Sequence, residues 1–132
     1  MINPEIPEIV QPRCNLVVKI GETWFYPFVE DNASVTALFE KLSSDALTLS
    51  MHDYGGFEKV AALPWELQTS DAEITATAGD IVLYQGNTLS LIYGENTWNY
   101  TELAHIDATS EAFSEALVDG DVTVTLWLEW TE

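Results

Sequence analysis

Ala78–Asp107 reads AGDIVLYQGNTLSLIYGENTWNYTELAHID. It holds two short apolar runs, Ile81–Tyr84 and Leu89–Tyr93, separated by Gln85-Gly86-Asn87. Gly94-Glu95-Asn96 follows, then an aromatic segment with Trp98 and Tyr100. Short runs rich in Ile, Val, Leu and Tyr, punctuated by Gly and Asn, are strand–turn–strand signals. The stretch predicts the central meander of a small β protein, with strands and a helix before it and one helix and a closing strand after it.

Working outward, Leu16–Ile20 predicts a strand whose Leu16, Val18 and Ile20 share a core face. Gly21-Glu22 turns it into a second strand over Thr23–Val29, with Pro27 marking an edge or a bulge. Asp31-Asn32 caps a helix at 33–42, in which Val35, Leu38, Phe39 and Leu42 form one apolar stripe. Leu47–Met51 is a strand that enters a glycine loop at 52–59. Residues 60–72 read as a long loop whose apolar side chains must cover either the open end of the core or a groove. Glu73–Ala78 is a short strand. On the C-terminal side, a helix at 110–118 ends before Gly120, and Val122–Trp130 alternates cleanly as a strand. About eight short strands with two helices favour a closed antiparallel barrel, which removes exposed edges.

At 132 residues the chain is expected to be one domain: an extended Pro-rich arm over 1–13 and a barrel over 14–132. The N-terminus shows no signal-peptide pattern and no apolar run reaches the roughly 20 residues of a membrane span, so the expected location is cytoplasmic. Four Lys and Arg against 22 Asp and Glu give a net charge of −18, which disfavours nucleic acid and anionic membranes as partners. The acids are spread along the chain, as expected of a solubility device; a cationic partner is the sharper reading. Cys14 is the one cysteine, so no internal disulfide forms, and a structural role is expected for it.

Three segments carry a resemblance: MHDYGGFEKV, GDIVLYQGNTLSLIYG and WNYTELAHID. Their order and spacing resemble the small bacterial proteins of cyclophilin-like fold. The resemblance covers Leu16 to Trp130 and implies a mainly β chain: a closed, eight-stranded antiparallel barrel capped by two α-helices. It also implies a groove on one barrel face near these loops. True cyclophilins are prolyl isomerases whose arginine hydrogen-bonds the prolyl nitrogen. Here the only arginine is Arg13, in the N-terminal arm. Lys59 is the nearest substitute by position, and an ammonium lacks the planar fork of guanidinium.

Chemical motifs are sparse. His52 and His105 stand alone, with no HExxH or CxxC, so neither metal nor cofactor is expected. No GxSxG elbow and no phosphate loop is present. The remaining signal is aromatic. Tyr54-Gly55-Gly56-Phe57 is expected to floor a groove, with Glu58 and Lys59 as polar contacts. Leu63, Pro64 and Trp65 are expected as one wall, and Tyr84, Trp98 and Tyr100 complete the set. The expected function is a non-catalytic binding module for a peptide or small molecule, the alternative being a divergent peptidyl-prolyl isomerase. Trp127 falls on the Thr/Glu face of the last strand, which points either to a homodimer interface or to burial under the arm.

Overall fold

A computed structural model describes residues 13–109, 111–117 and 120–131. The strands and helices in chain order are β1 (Arg13–Ile20), β2 (Thr23–Phe25), β3 (Phe28–Val29), α1 (Ala33–Leu42), β4 (Leu47–Tyr54), β5 (Glu58–Ala62), β6 (Ala72–Thr77), β7 (Asp80–Tyr84), β8 (Thr88–Ile92), β9 (Glu95–His105), α2 (Glu111–Ala116) and β10 (Val122–Thr131). Residues 1–12 of the arm expected over 1–13 and the expected helix ends at 110 and 118 lie outside the described residues; Arg13, expected in the arm, opens β1.

The described residues are mainly β with two helices, but they do not form a closed eight-stranded barrel. The strands form a curled antiparallel half-barrel in the order β2-β1-β10-β4-β5-β8-β7-β9-β3, with β6 paired to β9 off that path. The path ends at β2 and β3 instead of returning on itself. These two edges are neighbours in sequence, joined through Tyr26-Pro27 alone. The strand expected over Thr23–Val29 breaks there, because proline has no N–H to give to a ladder.

A second correction concerns Glu58–Ala62, expected as loop. It is strand β5, at the middle of the sheet, with Lys59 opposite Asp53 on β4 and opposite Leu91 on β8. Two adjacent charged residues disguise its alternation, since Lys59 and Ala61 face the main core side while Glu58 and Val60 face the other.

The main core fills the concave side. Ile20, Met51, Leu83, Leu91 and Leu126 are 2% exposed or less. Both helices contribute to it, α1 through Val35, Leu38 and Leu42, and α2 through Phe113, which packs edge-on against Phe25 at 6.1 Å. Asn32 caps α1 as expected: its Oδ1 accepts from the Val35 N–H at 2.9 Å, while its Nδ2 donates to the Glu102 carbonyl. The loop after β5 covers the core. Leu63 and Leu67 are buried in it, and their N–H groups donate to the carbonyls of Asn87 and Gly86 in the β7–β8 turn.

The convex side of β1, β2 and β10 carries Trp127, half-buried and edge-on to Trp24 at 5.0 Å. Cys14 is half-buried opposite Trp130, and burial raises its thiol pKa, which suits an inert cysteine. Among the described residues no helix is long and apolar enough to cross a membrane.

One bend shapes the rest. Extended chain rises about 3.3 Å per residue, so a straight β9 would hold its flanking residues far apart. Yet the last residue of β8 and the first residue after β9 both meet Gly79: its N–H donates to the Ile92 carbonyl at 2.9 Å, and its carbonyl accepts from the Ile106 N–H at 2.8 Å. The strand therefore doubles over. Thr101–His105 pairs with β7, while Glu95–Tyr100 pairs with β6. The β6–β9 ribbon lies across the convex face of β7 and β8, and Ala76, Val82, Ile92 and Tyr100 form a second small core between the layers.

Gly79 has φ +99, and a Cβ there would stand 2.1 Å from the Ile106 carbonyl oxygen. Gly56, at φ +75, has open space around it. Gly56→Ala is expected to cost only the left-handed penalty, about 1–2 kcal/mol. Gly79→Ala should lose clearly more in urea denaturation, because backbone must move; equal losses would show that the clamp on β9 yields freely.

Candidate functional site

Alternation along the central strands places polar and aromatic groups on the convex face. β5 presents Glu58 and Val60, and β8 presents Thr88 and Ser90, with Val60 opposite Ser90 in register. β7 adds Tyr84, opposite Thr88. The folded-over half of β9 brings Asn96, Trp98 and Tyr100, and the β4–β5 turn brings Tyr54 and Phe57. Together these ten residues line a cavity of about 490 Å³.

The turn is built around Phe57. Its carbonyl accepts from the N–H groups of both Tyr93 and Gly94, at 2.9 and 3.0 Å. Its side chain lies where side chains at two glycines would be: a Cβ on Gly55 would come within 2.6 Å of the ring, and one on Gly94 within 2.8 Å of the Phe57 Cβ. Gly55 and Gly94 thus make room for a protein side chain, where Tyr54-Gly55-Gly56-Phe57 was expected to floor a groove. Tyr54 packs edge-on to that ring at 6.5 Å.

Glu58 is the ionisable group of greatest interest. It is 6% exposed. Burial pushes its carboxyl pKa above the ordinary value, against a lowering hydrogen bond from Ser90. No cation contributes to that balance, and Oε1 has no hydrogen-bond partner. An unmet buried acceptor costs roughly 1–3 kcal/mol. Tyr100, also buried, accepts from the Asn96 amide at 2.8 Å; burial raises its phenol pKa, and the Glu58 charge adds to that. Tyr84 meets Tyr100 at 6.4 Å with the rings steeply inclined.

Six of the sequence-predicted site residues thus converge: Tyr54, Phe57, Glu58, Tyr84, Trp98 and Tyr100. Lys59 does not join them. Its Nζ lies on the other side of β5, donating to the Gly120 carbonyl at 2.7 Å and pairing with Asp53 at 3.5 Å, beneath the Tyr93 ring. The Tyr93 hydroxyl donates to the same Asp53 carboxylate, and this bond is the main reason the Asp53 pKa is lowered. Leu63 belongs to the main core, and Pro64 and Trp65 border a separate depression with Lys41 and Leu47. Val60, Thr88, Ser90 and Asn96 were missed by sequence reasoning. Their one signal is position: Thr88 and Ser90 are polar residues spaced by two within the apolar run of β8.

A second titratable cluster stands near Gly79. His105 Nδ1 meets Asp80 Oδ1 at 2.7 Å, and Asp80 Oδ2 accepts from the Thr77 N–H. Glu102 has its pKa raised to about 8, first by burial, then by the negative charge of Asp80 and the hydrogen bond they share. The folded chain therefore holds a proton that the unfolded chain, with a value of 4.5, releases earlier. In that window the unfolded state binds fewer protons, so stability falls as pH rises from 4.5 to about 8. Glu102→Gln keeps a donor toward Asp80 and removes the titration. Its stability relative to the natural chain should grow across this window, as read from urea midpoints; a flat difference would show that Glu102 ionises normally.

The family model described as the Cyclophilin-like family matches residues 18–127, which take in every strand and helix except the first residues of β1 and the last of β10. No curated protein matches, and no solved structure matches.

Proposed function

The chain belongs to the Cyclophilin-like family, and from that premise we propose that it is a non-catalytic binding module whose convex-face cavity holds a small molecule. The carrying observation is the meeting of five aromatic side chains with a buried, half-satisfied carboxyl in one cavity of about 490 Å³. That volume lies within the range of small-molecule sites, which combine apolar walls with a few fixed polar groups. Such a site explains why the small second core stops short of Glu58 instead of filling the space around it.

An isomerase reading has less support. It needs a donor above an apolar pocket, and the ammonium of Lys59 is committed on the opposite side of β5.

The test is a two-dimensional NMR titration of labelled protein with a fragment set and a set of X-Pro peptides. Fragment-induced shifts are expected at 57–60, 88–90 and 96–100. Trp98→Ala should weaken the best fragment by about tenfold, the loss of one aromatic contact. Shifts centred on Lys41, Leu47 and Trp65 would sink the reading, and accelerated exchange of the proline isomers would restore the isomerase.

A further inference from the structure

The cavity's chemistry also points to the charge of its occupant; this step rests on the reading that the cavity binds a small molecule. We propose that the occupant is a small organic ammonium ion, one positively charged nitrogen on an apolar body, held between the aromatic faces and the Glu58 carboxylate.

Three independent observations converge on that charge. The first is the ring set. Tyr54, Phe57, Tyr84, Trp98 and Tyr100 come from three different segments and close on one space. Aromatic faces carry negative potential and attract cations, tryptophan most strongly, and a cage of several rings is how proteins hold ammonium groups that have few or no N–H bonds to give. The second is Glu58. Its Oε1 is buried without a partner, so the site holds an acceptor that nothing among the described residues satisfies. A ligand N–H would supply the missing bond in its strong, charge-assisted form. The third is the absence of competition. None of the cavity's lining residues is Lys, Arg or His, and the nearest lysine in sequence, Lys59, directs its charge to Asp53 and Gly120 across the strand. The whole chain carries −18, a field that gathers cations and repels anions. A neutral ligand would use the rings and give Oε1 at most an uncharged hydrogen bond, and an anion would meet the carboxylate head-on.

Phenethylammonium, phenethyl alcohol and phenylacetate share nearly one shape and differ in charge. Each would be titrated by NMR and calorimetry, alongside methylated and quaternary ammonium ions. The cations should bind at the cavity at least about tenfold more tightly than the alcohol, and phenylacetate should not bind, since a difference of one charge-assisted contact is of that order. Glu58→Gln replaces the carboxylate by a neutral amide of nearly the same size. It should remove the preference for the amine over the alcohol, with a preserved amide spectrum showing that the fold persists. Trp98→Leu should weaken the quaternary ions more than the alcohol. If the alcohol binds as well as the amine, or if Glu58→Gln leaves the amine unaffected, the cation is wrong and the binding cavity stands. The cation is equally wrong if neutral fragments bind there and no ammonium does. If nothing binds at the cavity, both readings fall.

Discussion

The two hydrogen bonds of Gly79 hold the architecture in place. A single residue receives the end of β8 through its N–H and the residue after β9 through its carbonyl. A segment that leaves one point and returns to it must fold over, and the folded half of β9 has to lie on something. It lies on the convex face of β7 and β8, carrying β6 with it. This is why a sheet with one concave core acquires a second, smaller core on its outer side. The cavity is the part of that second interface left unfilled. Fold and site therefore share one cause.

The strand beneath the cavity sorts opposite charges onto opposite faces. Glu58 and Lys59 are adjacent, each nearly sealed from solvent. Side by side in solution they would neutralise one another. The pleat of β5 turns them apart, and each is left with its own surroundings. Lys59 finds a carbonyl, a carboxylate and a ring. Glu58 finds one hydroxyl and five aromatic side chains. The asymmetry is chemical: one face closes on its charge, the other leaves room beside it.

The meander, the capped helix at Asn32 and the alternating last strand were legible because each is written in local periodicity. The aromatic members of the site were legible from residue type, since Tyr and Trp pair an apolar body with a polar tip and mark places where structure meets space; Trp98 and Tyr100 reach the site from the middle of β9. Two things were not. β5 was hidden because its alternation runs through a Glu-Lys pair, which reads as surface until the partners on each side are known. The bend of β9 was hidden because nothing between Glu95 and His105 breaks the strand pattern; the constraint is supplied from Gly79, outside the strand. That contact also explains the misplaced wall. Trp65 looked like a groove residue, but the folded-over ribbon had already supplied Trp98 to that role, and the loop of Leu63 and Leu67 was left to cover the core.

The pairing of β1 with β10 bears on how the chain comes to be folded. β1 has only the three-residue β2 on its other side, so its register over Arg13–Ile20 is set chiefly by β10, whose partners run from Thr131 back to Val124. Closing that pair joins the first and last of the described strands, and contacts of such separation are slow to form because loop closure precedes any gain from pairing. During synthesis, β1 must wait for β10. Until β10 emerges, one side of β1 and one edge of β4 have no strand to pair with, and the core lacks Val122, Val124 and Leu126. Two strand edges and part of the apolar core thus stay open until the last described strand is made, the kind of surface through which incompletely folded chains associate.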